Sequence, residues 1–253
     1  MKKVLVIGDS CLDMFRYGKC ERLSPEAPVP VFNPTNTVGN GGMALNVFEN
    51  LKSMGIDCEI LTNDLRPVKT RYVDEVSNQL LLRVDENDQI KPLTADELKK
   101  INFDDYRAII ISDYNKGYLT TADIEYVAKR HPHVFLDTKK KINTWTRDIY
   151  CIKINQKEFN ENQDYLLEHF FRQLIVTKGK DGTTLNFTED FPIENEHEVR
   201  DLSGAGDTFL AALVADFIKN DDIRSNIRFA NRCASWVVTQ KGVAVVDLTK
   251  ISV

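Results

Sequence analysis

A chain of 253 residues, 42% apolar and 28% charged, is long enough to bury one large core and lies far from disordered or fibrous compositions. A formal net charge of -5, without a dense Lys/Arg block, gives no electrostatic drive toward nucleic acid or anionic lipid, so neither is expected as a partner. No run approaches the roughly 20 apolar residues of a membrane span, Met1-Lys2-Lys3 opens too short an apolar run for a secretory leader, and the five cysteines form no C-x-x-C pair; a cytoplasmic protein with reduced thiols is expected.

Val4 to Ile7 reads as a buried first strand, followed by Gly8-Asp9-Ser10-Cys11-Leu12-Asp13. Arg16 to Val38 then carries Pro25, Pro28, Pro30 and Pro34 among alternating residues, and Thr70 to Asp85 reads as two strands around a Ser77-Asn78 turn. These segments, about 14–38 and 68–90, are expected to form a small β-flap inserted into one domain. Between them, Gly39-Asn40-Gly41-Gly42 is expected to open a helix containing Asn46. Ile109 to Ile111, Val134 to Leu136, Cys151 to Ile154 and Leu174 to Thr177 read as further buried strands, several of them followed by helix-like segments. Asp207 to Asn220 repeats apolar residues at helical spacing (Phe209, Leu210, Leu213, Val214, Phe217, Ile218), as does Ile223 to Val238, so two long helices stand near the end of the sequence. Strand, loop and helix in repeated order predict an α/β fold, a mostly parallel sheet covered by helices on both faces, in a single domain over residues 1–253. The one close histidine pair, in His131-Pro132-His133, sits in a loop-like stretch where no metal site is expected.

The sharpest chemical signal is Asp201-Leu202-Ser203-Gly204-Ala205-Gly206-Asp207 at the start of the first of these helices. Two glycines around an alanine let backbone amides converge, and a helix N-terminus adds partial positive charge, which together make an anion cradle. A carboxylate on the same turn, Asp207, stands where it can take the proton of a hydroxyl attacking a phosphoryl group. A Gly-rich turn capped by Asp is the plainer alternative. Asn155-Gln156-Lys157-Glu158 follows a strand and reads as a helix cap with Glu158 in a capping box. Thr177-Lys178-Gly179-Lys180-Asp181-Gly182 after the next strand reads as a tight turn between strands.

In this order, these motifs resemble the ribokinase-like, PfkB-type carbohydrate kinases over nearly the whole chain. The resemblance implies the ribokinase-like fold, ATP and Mg2+ as cofactors with K+ as a further candidate, and a homodimer paired through the β-flap. It implies Asp207 as catalytic base, with the amides of Gly204, Ala205 and Gly206 on the transferring phosphoryl group and Asp201 near a monovalent cation. Asn155, Glu158 (on Mg2+, through water), Lys178, Gly179, Gly182 and Asn231 become nucleotide-side residues. Asp13, Gly41, Gly42 and Asn46 become sugar-binding residues, and paired donors and acceptors are what a sugar needs.

Within the family, Glu21 to Val31 is similar to a stretch in kinases of D-glycero-D-manno-heptose 7-phosphate, as are Lys69-Thr70-Arg71, Leu82 to Asp85, Ser112 to Gly117 and Asp137-Thr138-Lys139. The implied acceptor is a sugar phosphate, with Lys69, Arg71, Lys116 and Lys139 as cations for its phosphate and Asp113 beside them. Only a few residues separate Leu61 from Pro67, where the family places a strand-helix-strand unit, so the sheet should be narrower on that side. The nucleotidyltransferase domain of the bifunctional heptose enzymes is not expected within these residues. A kinase for another sugar or nucleoside, or a catalytically silent sugar-binding or nucleotide-binding protein of this fold, remains an alternative.

Overall fold

The computed structural model describes residues 2–64, 67–87, 89–169, 171–194 and 198–251. Its elements run β1 (Lys3–Gly8), β2 (Ser10–Lys19), β3 (Asn33–Met43), α1 (Ala44–Ser53), β4 (Cys58–Thr62), β5 (Val68–Asp74), β6 (Leu80–Glu86), α2 (Ala95–Lys99), β7 (Tyr106–Asp113) and α3 (Thr121–Ala128). They continue with β8 (Val134–Thr138), β9 (Cys151–Asn155), α4 (Gln156–Glu168), β10 (Gln173–Thr177), β11 (Thr183–Leu185), β12 (Glu189–Phe191), α5 (Ala205–Phe217) and α6 (Ile223–Val237).

Eight strands form the main sheet in the order β12-β11-β10-β9-β8-β7-β1-β4, parallel from β10 to β4 and antiparallel at β11 and β12. The β-branched runs of its central strands are apolar on both faces because both faces are covered, as parallel sheets require. Val4, Val6, Ile110 and Phe135 point into one core with α1, α5 and α6; Leu5, Ile7, Ile109, Ile111 and Leu136 point into the other with α3 and α4. The edge strand β4 runs on toward β5, and no strand pairs with its outer side among the described residues, in keeping with the narrow sheet expected there.

Four strands, in the order β3-β2-β5-β6, form a second sheet where the flap was expected. Asp74 accepts the Ser77 amide at 2.8 Å and Asn78 takes a left-handed φ of 58°, which closes the β5–β6 hairpin at Ser77-Asn78. Leu65, Arg66 and Asp88, at the margins of this part of the flap, lie outside the described residues. Gly39 to Gly42 depart from expectation: they continue β3, and the helix begins only at Ala44. The reason is a close approach, since a Cβ on Gly42 would stand 2.1 Å from the Asp13 carboxylate on the paired strand β2.

Candidate active site

The carboxyl ends of β1, β7, β8, β9 and β10 all open toward one side of the main sheet, where parallel α/β sheets bind ligands. Asp9, Tyr114, Asp137, Asn155 and Thr177 stand at or just beyond these ends. The α5 N-terminus meets them, its cap Gly204 at φ 79°, a left-handed conformation that glycine adopts without strain. A side chain at Gly204 would also press on the Asn46 amide, 2.6 Å away, and on Val243 at 3.0 Å. Asp201 orders the approach to this turn by accepting the Ser203 amide at 2.8 Å. In the first helical turn the amides of Gly206 and Asp207 have no carbonyl one turn back, the ordinary condition of a helix start, while the Ala205 amide makes a long 3.4 Å bond to Leu202 O.

Asp207 is 3% exposed, and its two carboxylate oxygens are held separately. The Tyr114 hydroxyl donates to Oδ1 at 2.7 Å, and Asn46 Nδ2 donates to Oδ2 at 3.2 Å while also reaching Gly204 O at 3.4 Å. Burial pushes the Asp207 carboxyl up to about 6, and the Tyr114 and Asn46 donors work in the opposite direction. The carboxylate is therefore mostly ionised at neutral pH and still basic enough to receive a proton.

Beneath the turn lies a buried ion pair, Lys153 Nζ to Asp137 Oδ2 at 2.5 Å. A Cβ on Gly206 would lie 3.0 Å from that ammonium, which places a fixed positive charge against the anion cradle. Burial works against the Asp137 charge, but Lys153 and Lys139 hold its carboxyl below its ordinary value. Lys139 reaches both Asp137, at 3.7 Å, and Glu158.

On the second-sheet side, Asp13 Oδ1 is bound by Arg71 Nη1 at 2.5 Å, and the Arg71 guanidinium lies over the Phe15 ring. Lys69 and Lys139 stand over the Tyr114 ring, their ammonium groups 5.9 and 5.2 Å from its centroid. Asn46 thus touches Asp207 directly, Lys69 and Lys139 reach it through Tyr114, and Asp13, Arg71 and Gly42 form a second contact group on β2, β5 and β3. Gly41 stays in β3, packed on Leu45. Lys116 joins through its main chain, its amide donating to Asp9 at 3.2 Å. Asp113 does not reach the opening as expected. It is 1% exposed and turned inward onto Thr138 Oγ1, at 2.5 Å, and Lys140 Nζ, at 2.6 Å.

The nucleotide-side residues are engaged in caps and turns. Asn155 and Glu158 form a reciprocal capping box on α4, each side chain accepting the other's amide at 2.9 Å. Gly179 and Gly182 take left-handed φ values of 60° and 82° in the turn after β10, and Lys178 pairs with Asp190 at 3.2 Å. Asn231 accepts from Thr183 Oγ1 at 2.7 Å and donates to Phe191 O at 3.1 Å, tying α6 to β11 and β12. It also lines a cavity of about 110 Å³ with Pro192, Ile193, Arg232 and Trp236.

Sequence reasoning missed Tyr114 and Lys153 as site residues. Lys153 carried a signal, a cation between Ile152 and Ile154 in an otherwise apolar strand, which a fold can bury only beside a counter-charge. Tyr114 carried only its place after β7, within the Ser112 to Gly117 stretch noted above for its similarity.

Residues 121–250 match the family model described as pfkB family carbohydrate kinase. The chain is 31% identical over 309 aligned residues to the bifunctional protein HldE of Helicobacter pylori (strain J99), with 100% of this chain covered. It spans 66% of the length of that relative. Its fold is similar to that of ribokinase from Thermotoga maritima, with a TM-score of 0.72 at 16% identity over 96% of this chain and 95% of that one. Arabidopsis thaliana ribokinase, complexed with ribose and ATP, gives a TM-score of 0.69 at 13% identity over 95% of this chain and 94% of that one.

Proposed function

The chain belongs to the pfkB family of carbohydrate kinases, and from that premise we propose that it transfers the γ-phosphate of ATP to a hydroxyl of a sugar phosphate, with heptose 7-phosphate, giving the 1,7-bisphosphate, as the favoured acceptor. The observation that carries the phosphate-transfer reading is the buried Asp207 carboxylate, raised toward neutrality and set on the same helical turn as the anion cradle. The acceptor hydroxyl loses its proton to Asp207 as its oxygen bonds to the γ-phosphorus, and the bond from that phosphorus to the β–γ bridging oxygen breaks, releasing ADP. Charge on the transferring group is met by the amides of the Gly204–Gly206 turn and by the Lys153 ammonium.

The sugar-phosphate assignment is supported by the cations Lys69, Arg71 and Lys139, which cluster between Asp13 and Tyr114, and by the similarity of Glu21 to Val31 to heptose 7-phosphate kinases. Mg2+ would be held on this reading by Glu158 and Asn155 through water. The donor set is oxygen, as Mg2+ prefers, and the buried Asp137 Oδ1 nearby makes no hydrogen bond, only the longer 3.7 Å ion-pair contact with Lys139. When bound, Mg2+ supplies neutralisation of the β- and γ-phosphates. Asp201 is the carboxylate offered to a monovalent cation. The second sheet serves as a lid over the acceptor within a single domain, and Leu80 and Leu82, more than half exposed on its edge strand β6, support pairing of two copies through this sheet. A monomer by light scattering contradicts the homodimer.

Asp207→Asn should lower turnover about 10²- to 10⁴-fold with nucleotide affinity retained, because the cradle amides are unchanged. Undiminished turnover removes Asp207 from the base role. ADP release measured over a panel of acceptors tests the substrate: turnover of an unphosphorylated sugar with none of heptose 7-phosphate rejects the favoured acceptor.

A further inference from the structure

We propose that Tyr114 is the positioning residue of the base: its phenol fixes the Asp207 carboxylate by Oδ1 and leaves Oδ2 to receive the acceptor's proton. The inference rests on the reading of Asp207 as the base.

The geometry begins in the loop that follows β7. Buried Asp9, at the end of β1, accepts the amides of Lys116 and Tyr118, each at 3.2 Å. Buried Asp113 accepts the Asn115 amide at 3.2 Å while Thr138 and Lys140 anchor its other contacts. Asn115 and Gly117 take left-handed φ values of 56° and 99°, so the chain reverses sharply between the two clamps. Two buried carboxylates on neighbouring strands thus hold a five-residue loop by its main chain. From this loop the Tyr114 side chain reaches the α5 N-terminus, 93 residues distant from it in sequence at Asp207.

The two donors to Asp207 are unequal. The phenol bond at 2.7 Å is short and undivided, whereas the Asn46 amide sits at 3.2 Å and is shared with Gly204 O. A hydrogen bond to a charged acceptor strengthens as it shortens, so Oδ1 is the better satisfied oxygen and Oδ2 the better proton acceptor. The same bond favours the ionised carboxylate over the neutral acid, which holds the base in its working form against the pull of burial.

The other groups facing Asp207 come from several elements. Asp137 of β8 opposes its charge, Lys153 of β9 and, just after β8, Lys139 favour it, and Cys11 of β2 faces it as a neutral thiol whose pKa burial raises to about 12. None of these four is recorded within hydrogen-bond distance of the carboxylate. Burial and the facing carboxylate push the Tyr114 phenol well above its ordinary value, so it remains a donor throughout the range in which Asp207 titrates.

The test is Tyr114→Phe, which removes one oxygen and keeps the ring beneath Lys69 and Lys139. The readout is the titration of the Asp207 carboxyl by 13C NMR, its resonance assigned by its loss in Asp207→Asn, alongside the pH profile of kcat/KM. Loss of the phenol should raise the Asp207 midpoint by roughly half to one pH unit, a three- to tenfold gain in proton affinity. The acid limb of kcat/KM should move up by the same amount, with the rate deficit largest below the midpoint and shrinking above it. An unmoved midpoint, or a profile lowered equally at every pH, overturns the proposal. Should the Phe variant not fold, the unmutated protein answers: the Tyr114 Cζ resonance must shift with the Asp207 midpoint, and a Tyr114 signal flat through that midpoint overturns the proposal. The midpoints need no turnover, so rejection of Asp207 as base by an active Asp207→Asn reads out separately from rejection of the Tyr114 bond.

Discussion

On the proposed acceptor side, residues from β2, β5, the loop after β7 and α5 touch through their side chains, Asp13 with Arg71, Lys69 with Tyr114, and Tyr114 with Asp207. On the proposed nucleotide side, Asn155, Lys178, Asp201 and Asn231 are each occupied within the scaffold, by a capping box, a surface ion pair, a turn and a strand clamp. The difference teaches where recognition resides. A sugar is read by side chains at fixed places, so the acceptor side keeps its polar groups in mutual contact and able to exchange partners. Phosphates are read by main-chain amides and fixed charge, so the nucleotide-side side chains are left to build the turns that aim those amides. Substitution on the first side should therefore alter acceptor kinetics, and on the second side mainly stability.

Lys153 tests that division most severely, because it is a nucleotide-side side chain with no structural duty except its buried pair with Asp137. Lys153→Met leaves the buried Asp137 carboxylate with only the longer 3.7 Å contact to Lys139, and urea unfolding should show a loss of about 3 kcal/mol, the low end for a broken buried pair. Turnover of the folded fraction should fall as well, since the charge beneath the cradle is gone. A variant of normal stability and normal rate would break the comparison outright.

Arg71→Met probes the other side with a smaller effect. Removing a charge-assisted hydrogen bond of about 1.5–3 kcal/mol from Asp13 should raise the acceptor KM roughly 10- to 100-fold. The KM for ATP should stay within about twofold, a change worth less than 0.5 kcal/mol. Equal changes in both constants would show that the two sides are not separable.

This asymmetry also decided how much of the molecule could be read from its sequence. The buried strands announced themselves as β-branched runs, and α5 and α6 as apolar periodicity, because those signals are local. The three-residue strands β11 and β12 left too little period to detect, and β4, with Glu59 among its five residues, has the mixed pattern of an edge. Gly39 to Gly42 read as a helix opening because glycine is ambiguous by composition; only the approach of Asp13 from the paired strand makes them β. At the site, the cradle and its carboxylate are contiguous and were legible as a unit. Tyr114 was not, because its direction is set by Asp9, more than a hundred residues earlier in the chain. Asp113 misled for the same reason: its partners Thr138 and Lys140 arrive from β8 and the turn after it.

The smallest expected effect sharpens the comparison from the nucleotide side. Asn155 was legible both as a phosphate-side residue and as a helix cap, and the structure engages its side-chain oxygen with the Glu158 amide at 2.9 Å. Asn155→Ala removes that cap and should destabilise the protein by about 1 kcal/mol. For a chain of this length that is a fall in Tm of about 2–4 °C. The Glu158 carboxylate keeps both of its partners in this variant, the main-chain amide of residue 155 and Lys139, because only the bond from the Glu158 amide is lost. The Mg2+ concentration needed for half-maximal rate and the acceptor KM should therefore both stay unchanged as Tm falls. If the metal requirement rises sharply while Tm holds, Asn155 contacts the ligand through its own side chain, and the nucleotide side is read by side chains as the acceptor side is.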